Sequence, residues 1–325
     1  MAGYSTIKGF TIQTIAGDPA NPVEGQIWYN SSSNVLKGKA LAASTGAWSS
    51  GGSLNLARQH LSGAGTQTAG LAFFGNADPP VTADTEKYDG STWTEVNDGN
   101  TARYSATGCG TQTAALCMAG NDATNPVGYT NKVEEYDGTS WAETGDLNAA
   151  RFYPGACGTT TAALCAGGEG APGPTIANSE TFDGTTWTEG NNQNAALAGR
   201  GGAGTATAGL MFGGGPGSVG NTETYDGTCW AEVNNLNTGR EKIAGFGVQT
   251  AGMAAGGSGS ENETEFYNGT SWTEVADMAG SIPARTAAAA GTSLVSMVFG
   301  GGPPKSDATE EWNATGSAVV TFTSS

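Results

Sequence analysis

Short apolar stretches alternate with glycine-rich turns along most of the chain, and no stretch keeps the spacing of an amphipathic helix for a useful length. Stretches such as SATGCGTQTAALCMAGN and GGAGTATAGLMFGGG each indicate two strands joined by a tight turn, ending where glycines permit positive φ. A polar loop of variable length follows, then a Glu-x-Tyr strand, a turn at Asp-Gly-Thr, and a strand that begins with tryptophan. Because Asp-Gly between strands is a strong hairpin signal, each repeat is predicted to be a four-stranded antiparallel meander of about 45 residues.

One pattern, Glu-x-aromatic-Asp-Gly-Thr-x-Trp, marks the repeats most clearly. Five copies match it with at most one substitution and a sixth has diverged further: EKYDGSTW from Glu86, EEYDGTSW from Glu134, ETFDGTTW from Glu180, ETYDGTCW from Glu223, EFYNGTSW from Glu265 and EEWNATGS from Glu310.

The six arginines of the chain mark the same repeats, because each follows a tryptophan at nearly constant distance. The separation is ten residues in four repeats and thirteen in two: Trp48 to Arg58, Trp93 to Arg103, Trp141 to Arg151 and Trp230 to Arg240, then Trp187 to Arg200 and Trp272 to Arg285. Self-similarity at a regular period is the signature of a repeat architecture. Small four-stranded sheets bury their faces by radial packing, so the repeats predict one large all-β domain.

The residue order, arginine first, then glycines, then Glu-x-Tyr-Asp and then tryptophan, resembles the kelch repeat over roughly residues 48–325. The resemblance implies a β-propeller in which each repeat is one blade. Some positions depart from it. Phe182 and Trp312 replace the tyrosine, Asn268 and Asn313 replace the aspartate, and Ser317 stands where the last tryptophan should be.

The number of blades depends on how the two ends of the chain meet. Trp48 has no Glu-x-Tyr strand before it, and the last repeat lacks its own tryptophan. The strand around Trp48 would therefore complete the blade that begins at Arg285, which gives six four-stranded blades. The C-terminal SAVVTFTSS is also a good strand and could complete that blade instead, leaving the N-terminal strands to form a seventh. We expect six blades over residues 46–325, with seven as the alternative.

The repeated residues are expected to hold the blades together. Each arginine has a glutamate in the same repeat, so we predict a repeated ion pair with the geometry that suits guanidinium and carboxylate. A large aromatic side chain once per blade is expected to act as a wedge between neighbours. The residues given this structural role are Arg58, Arg103, Arg151, Arg200, Arg240, Arg285, Glu86, Glu134, Glu180, Glu223, Glu265, Glu310, Trp48, Trp93, Trp141, Trp187, Trp230 and Trp272.

Charge narrows the classes of partner. The 325 residues include 30 Asp and Glu against 13 Lys and Arg, a formal net charge of −17, so a nucleic-acid-binding surface is not expected. No apolar run is long enough to span a membrane, and MAGYSTIKGF has neither the basic nor the apolar region of a signal peptide.

No catalytic constellation stands out. His60 is the only histidine, so the copper site of oxidase propellers cannot be built, and no zinc pattern, nucleophile elbow or phosphate-binding loop appears in a suitable context. The acidic residues leave paired carboxylates for glycoside hydrolysis open, but they single out no pair. We therefore expect a protein that is not an enzyme and has no cofactor. The cysteines are expected to be free thiols, with cross-strand disulfides as the alternative.

The loops between the second and third strands should emerge at one end of the domain. They vary in length and composition, whereas the turns at the other end are short and uniform. Variable loops on a rigid scaffold are where recognition usually resides, although drift of solvated loops would give the same pattern. The candidate binding residues are Asp78, Asp122, Tyr129, Glu169, Ser218 and Lys305.

Residues 1–45 differ in kind from the repeats. GDPANPVEGQIWYNSSSNVLKGKA predicts a proline-bearing lead, a strand IWYN, a polar turn and a strand VLKGK. Its Pro-x-x-Gly-Gln-Ile-Trp-Tyr-Asn-Ser pattern resembles short segments of bacteriophage tail and fibre proteins over about 20 residues. In such proteins the segment links a virion-bound part to a distal module, so residues 1–45 are expected to be an attachment segment.

The expected function is that of a non-enzymatic phage virion protein, such as a tail-fibre, adhesin or decoration component. It would be made in the host cytoplasm and reside in the virion. Its partners would be other virion proteins at the N-terminal segment and a host-surface glycan or protein at the loops, and homo-oligomerisation stays open. The alternatives are a cellular adaptor of the kelch type and a carbohydrate-active propeller.

Overall fold

The computed structural model describes residues 6–7, 10–22, 26–77, 81–122, 128–171, 173–258, 262–280 and 288–322. All regular elements in these ranges are β-strands, arranged in eight sheets. Two compact units are present: Ala47–Asn313, and Met1–Gly46 together with Ala314–Ser325. Among the residues described, no helix is long and apolar enough to cross a membrane.

Five sheets of the larger unit each contain four antiparallel strands in chain order. They are sheet I (Ser62–Thr66, Ala69–Phe73, Thr85–Tyr88, Trp93–Val96), sheet II (Thr107–Thr111, Ala114–Met118, Val133–Tyr136, Trp141–Glu143), sheet III (Gly155–Thr159, Ala162–Ala166, Ser179–Phe182, Trp187–Glu189), sheet IV (Gly201–Thr205, Ala208–Phe212, Thr222–Tyr225, Trp230–Val233) and sheet V (Ala244–Val248, Ala251–Ala255, Thr264–Tyr267, Trp272–Glu274). Arg151–Phe152 and Glu169–Gly170 form a separate two-stranded sheet. In the chain, Arg151–Phe152 precedes the first strand of sheet III, and Glu169–Gly170 lies between its second and third strands.

Sheet VI joins the two ends of the repeat array. It has six strands, in the order Ala288–Gly291, Val295–Phe299, Thr309–Phe322, Val35–Ser50, Ile27–Asn30 and Gln13–Ile15. Both long strands cross the division between the compact units, and the backbone amide of Gly51 donates to the carbonyl of Thr309 at 2.8 Å. This is the pairing expected if the strand around Trp48 completes the last repeat. Arg285, which begins that repeat, lies outside the described residues.

The second strand of each sheet is buried on both faces. In sheet II, Leu116, Cys117 and Met118 are all fully buried, and sheets I and III to VI show the same run of buried positions. A strand covered on both faces is continuously apolar instead of alternating, which explains the runs of small and aliphatic residues in the sequence.

The first strands of the sheets contact one another in order from sheet I to sheet VI, and that of sheet VI contacts that of sheet I. They line a cavity of about 120 Å³ with Gly, Ala, Cys and Phe residues. Small residues are required here: a Cβ atom at Gly202 would lie 2.3 Å from the carbonyl oxygen of Ala156 in the neighbouring sheet. An all-β arrangement of this kind is compatible with a β-propeller.

The smaller unit contains the IWYN and VLKGK strands expected from the sequence. They pair antiparallel, with Ile27 opposite Gly38 at one end and Asn30 opposite Val35 at the other. Gln13–Ile15 runs parallel to Ile27–Asn30, and Thr6–Ile7 pairs with Phe10–Thr11. Asp18 accepts hydrogen bonds from Trp28 at 3.2 Å and Asn30 at 2.7 Å, and forms an ion pair with Lys37. These contacts lower the pKa of Asp18, and the contact with Lys37 has the largest effect.

Candidate functional site

The arginine of each described repeat reaches the glutamate of the same repeat. Nη2 of Arg58 lies 3.0 Å from Oε1 of Glu86, and both side chains are fully buried. The same contact joins Arg103 to Glu134, Arg151 to Glu180, Arg200 to Glu223 and Arg240 to Glu265. The pair predicted for Glu310 cannot be described, because Arg285 is outside the described ranges.

Further contacts fix each guanidinium within its sheet. Nη1 of Arg58 donates to the carbonyl oxygen of Asp84 at 2.9 Å. Burial lowers the pKa of Arg58, and the negative charge of Glu86 opposes that change. Removing one partner of such a pair would leave an uncompensated buried charge, and the buried pairs present no charge to a ligand.

Asparagines that were not predicted from the sequence contact five of the six glutamates. Both the backbone amide and Nδ2 of Asn55 donate to Oε2 of Glu86, at 2.7 and 2.8 Å, and Nδ2 also donates to the carbonyl of Trp93. Asn100, Asn148, Asn194 and Asn237 make the equivalent contacts. The signal was present in the sequence, since each of these asparagines follows a tryptophan by seven residues.

The tryptophans connect neighbouring sheets. The indole Nε1 of Trp141 in sheet II donates to Oγ1 of Thr85 in sheet I at 3.0 Å. The equivalent bonds join Trp93 to Thr309, Trp230 to Ser179, Trp272 to Thr222 and Trp48 to Thr264. Trp187 is the exception: its buried Nε1 has no hydrogen-bond partner, and Val133 occupies the position that carries a hydroxyl elsewhere.

These arginines, glutamates and tryptophans do not converge on one pocket. Each set is distributed over the sheets and is engaged by internal contacts, as the ion pairs and indole bonds above show. Any ligand-binding site must therefore be formed by other residues.

A ring of five residues lies where the chain enters the first strands of sheets I to V. We call His60, Ser105, Tyr153, Gly199 and Lys242 the mouth ring. All five have positive φ, between 53 and 65°, and consecutive members are joined by backbone hydrogen bonds. The amides of Ser105, Tyr153, Gly199 and Lys242 donate in turn to the carbonyls of the preceding members, at 2.9, 3.1, 2.9 and 2.6 Å.

The residue before each ring member is tied to a variable loop. Isolated bridges join Gln59 to Asn76 and Tyr104 to Asn121, and Phe152 pairs with Glu169. Ala198 pairs with Gly215, and Glu241 with Ser258. The backbone is therefore uniform around the ring while the side chains differ in every repeat, which is the arrangement of a scaffold that carries variable recognition groups.

His60 contacts two other members of the ring. Its Nδ1 contacts the hydroxyl of Tyr153 and lies 3.2 Å from Oγ of Ser105. Burial, reinforced by the positive charges of Lys242 and Lys305, lowers the pKa of His60 from 6.5 to about 4. The imidazole is therefore neutral at pH 7. Burial likewise raises the pKa of Tyr153 above its ordinary value.

A cleft of about 880 Å³ opens beside the mouth ring. Phe152 and Tyr153 form an aromatic part of its wall, Glu241 and Lys242 line it as well, and so does Glu169, whose backbone pairs with Phe152. The floor is formed by residues without large side chains, Ala198, Gly199, Gly215 and Gly217. A cleft of this size is within the range of small-molecule sites.

The predicted loop residues differ in how close they lie to this cleft. The hydroxyl of Tyr129 donates to Oε2 of Glu169 at 2.8 Å, so these two are brought together, and Glu169 lines the cleft. Ser218 follows the lining segment 215–217, and the ammonium of Lys305 donates to the carbonyl of Ala77. The amide of Asp122 donates to the carbonyl of Gly128 within its own loop. Asp78 lies outside the described residues.

Of the residues that line the cleft, only Glu169 was among the predicted loop residues, and the large or charged side chains of Phe152, Tyr153, Glu241 and Lys242 were not predicted. They follow directly after arginines, at positions where the sequence changes completely between repeats that are otherwise alike. Variation at a position of constant backbone could have identified them.

Metal and thiol chemistry find no support in the described ranges. No group of three or more His, Cys, Asp or Glu side chains there could hold a metal ion. All five cysteines are free, as expected, and four of them are buried. Burial raises the pKa of Cys117 to about 11 and that of Cys157 and Cys165 to about 12.

No protein-family model matches the chain, and no curated protein is similar to it.

Proposed function

We propose that the chain is a non-enzymatic, six-bladed propeller of the kelch type that a bacteriophage particle displays for binding to a host surface. The observation that carries the binding role is the cleft beside the mouth ring, where variable side chains meet on a uniform backbone. Preformed concave sites of this kind, with aromatic walls and a few polar groups, are typical of ligand recognition.

Three contacts support closure of the repeats into a ring. Nε1 of Trp93 in sheet I donates to Thr309 of sheet VI at 3.0 Å, and Nε2 of Gln67 donates to the carbonyl of Trp312 at 3.0 Å. Trp48 of sheet VI in turn donates to Thr264 of sheet V. The first and last repeats thus make the same kinds of contact with each other as consecutive repeats do. A propeller of six blades accommodates all of these contacts with no repeat left unpaired.

The virion assignment rests on the first 45 residues, whose IWYN and VLKGK strands resemble bacteriophage tail and fibre segments. Attachment to the particle through this segment would leave the loops of the propeller available for a host glycan or protein. Immunogold labelling of particles sedimented from a culture that carries the gene tests this assignment. Label on the particles is expected, and its confinement to the cell fraction would contradict the proposal.

Binding is tested directly with the purified, fluorescently labelled chain on intact host cells. Saturable labelling that an excess of unlabelled chain displaces is expected. Labelling that is absent, or that does not saturate, would refute a receptor-binding role.

One observation favours a second candidate. Two carboxylates, Glu169 and Glu241, line the same cleft, and a pair of carboxylates is what glycoside hydrolysis requires. Release of reducing ends from a panel of polysaccharides, abolished in both Glu169→Gln and Glu241→Gln, would support the enzyme and replace the non-enzymatic role. No turnover with any polysaccharide is expected if the cleft only binds.

A further inference from the structure

We infer that the cleft formed by Phe152, Tyr153, Glu169, Glu241 and Lys242 binds a neutral saccharide unit. The inference rests on the proposed binding function and specifies where the ligand sits and what its chemistry is. Four features of the cleft lead to it: its open floor, its aromatic wall, its fixed polar groups and its charge.

The cleft is open because sheet IV contributes almost no side chains to it. Where the neighbouring repeats carry Phe152 and Tyr153 or Glu241 and Lys242, this repeat carries Ala198 and Gly199. Gly215 lies in the same place, and a Cβ atom there would lie 1.8 Å from Oε2 of Glu241, so a larger residue would displace the end of that side chain. The missing side chains create the volume, and Gly215 allows the carboxylate of Glu241 to lie against the floor.

The rings of the aromatic wall contact other aromatic rings. The rings of Tyr129 and Phe152 are stacked, with centroids 5.1 Å apart and an interplanar angle of 5°. Phe152 also contacts Tyr153 at 4.3 Å and Tyr104 at 5.7 Å between centroids. These residues are half-buried, so part of each remains exposed to solvent. The electron-rich face of an aromatic ring attracts polarised C–H groups, and one face of a pyranose ring presents a row of them.

The polar groups are held in place before any ligand arrives. Tyr129 fixes one carboxylate oxygen of Glu169 at 2.8 Å, and the ammonium of Lys242 lies 5.3 Å from the centroid of the Tyr153 ring. Carboxylates accept hydrogen bonds from hydroxyl groups, and an ammonium donates to hydroxyl or ring oxygens. Vicinal hydroxyls offer both kinds of partner, and groups that are already oriented lose little conformational entropy on binding.

Charge decides between classes of saccharide. Two carboxylates face one ammonium in the cleft, His60 is neutral at pH 7, and the chain as a whole carries a formal net charge of −17. A negatively charged field of this kind repels anionic ligands. The cleft therefore favours neutral sugars over sialylated, sulfated or phosphorylated ones.

The test uses the full chain and saturation-transfer NMR, with methyl glycosides of glucose, galactose, mannose and N-acetylglucosamine as neutral probes and sialyllactose as the anionic probe. At least one neutral glycoside is expected to receive saturation and sialyllactose none. Phe152→Leu keeps an apolar side chain but removes the ring face, and Glu241→Gln keeps the shape but removes the charge. Each is expected to weaken binding about tenfold or more, the effect of losing a single good contact.

Val248→Ala, at the other end of the first strand of sheet V, is the control expected to bind as the unaltered chain does.

The outcomes separate this inference from the proposed function. If the chain labels host cells but no neutral glycoside receives saturation, or if Phe152→Leu and Glu241→Gln both bind as well as the unaltered chain, the saccharide site is wrong and surface binding stands. Binding of sialyllactose alone overturns the neutral class. Absence of cell labelling and of glycoside binding overturns both. Melting temperatures within a few degrees of the unaltered chain show that the variants are folded, and either variant alone suffices if the other unfolds.

Discussion

Leu197 and Arg200 exchange the places that arginine and an aliphatic residue hold in other repeats. The strand register aligns Leu197 with Arg58, and Arg200 with Leu61. The guanidinium of Arg200 nevertheless reaches the equivalent glutamate, Glu223, at 2.9 Å. It also donates to the carbonyls of Met211 and Asn221, both at 3.0 Å. The ion pair is thus conserved in position within the fold although its arginine enters from a point three residues later in the chain.

This exchange predicts a compensating pair of substitutions. Arg200→Leu should lower the free energy of unfolding by about 3–5 kcal/mol, because Glu223 is left buried without its partner. Leu197→Arg should also destabilise, since a second guanidinium would compete for the same carboxylate. The double variant recreates the arrangement of Arg58 and Leu61 and should recover most of the loss. Urea denaturation of the four chains gives the coupling energy, and a double variant no more stable than Arg200→Leu would contradict the exchange.

The unpaired indole of Trp187 predicts a stabilising substitution. Val133→Thr supplies the hydroxyl that the other repeats place opposite the tryptophan, and should raise the free energy of unfolding by about 0.5–1.5 kcal/mol. The matched control is Thr85→Val, which removes the partner of Trp141 and should cost about 1–3 kcal/mol because a buried donor is left unsatisfied. Thermal unfolding of both variants tests the pair, and destabilisation by Val133→Thr would show that the indole is satisfied in another way.

The asparagine contacts predict opposite effects at two equivalent positions. Asn148→Ala should destabilise by about 1–2 kcal/mol, because the side-chain bonds to Glu180 and to the carbonyl of Trp187 are lost while the backbone bond remains. The last repeat has Ala279 here, and its amide already donates to Oε2 of Glu310 at 2.7 Å. Ala279→Asn should therefore stabilise. Differential scanning calorimetry measures both changes, and equal signs would count against a shared role.

His60 predicts a pH dependence of stability. Its pKa is about 4 in the folded protein against 6.5 ordinarily, so the unfolded chain takes up a proton between these values that the folded protein does not. Its contribution is fully present above pH 6.5, falls as the pH drops through that window, and amounts to at most about 3 kcal/mol. Ser105, Tyr153, Lys242 and Lys305 are the polar and charged groups that face it.

His60→Asn is the appropriate comparison, because asparagine tolerates the φ of 56° found at this position. The stability difference between the two chains should change between pH 6.5 and pH 4 and be constant above pH 7. The exposed carboxylates titrate in both chains alike, so their contribution cancels. A difference that does not vary with pH would mean that His60 is not held neutral by its surroundings.

The cysteines predict selective alkylation. Cys229 is exposed, whereas Cys109, Cys117, Cys157 and Cys165 are buried with raised pKa values and offer almost no thiolate. Iodoacetamide should add one group to the folded chain and five after denaturation without reductant, as mass spectrometry will show. Fewer than five groups under denaturing conditions would indicate a disulfide.

The repeated features of this protein were readable from the amino-acid sequence because they obey local rules. The glycine-bounded strands, the Asp-Gly turns and the register of arginine with glutamate depend on backbone preference and side-chain alternation, which act over a few residues and recur in every repeat. The sequence even indicated that the strand around Trp48 belongs with the last repeat, since each half of that sheet lacks what the other supplies. It also placed Tyr129 and Glu169 among the candidate binding residues, and these two meet at the cleft.

The cleft itself was decided by tertiary structure. Phe152, Glu241 and Gly215 are far apart in the chain and belong to different repeats, so no local pattern relates them. They meet because the mouth ring links successive sheets through backbone bonds and because Ala198 and Gly199 leave the space between them empty. The exchange of Leu197 and Arg200 could not be predicted from the sequence for a related reason. The sequence gives only the number of residues between two positions, whereas an ion pair depends on where the end of a long, flexible side chain lies in the folded protein.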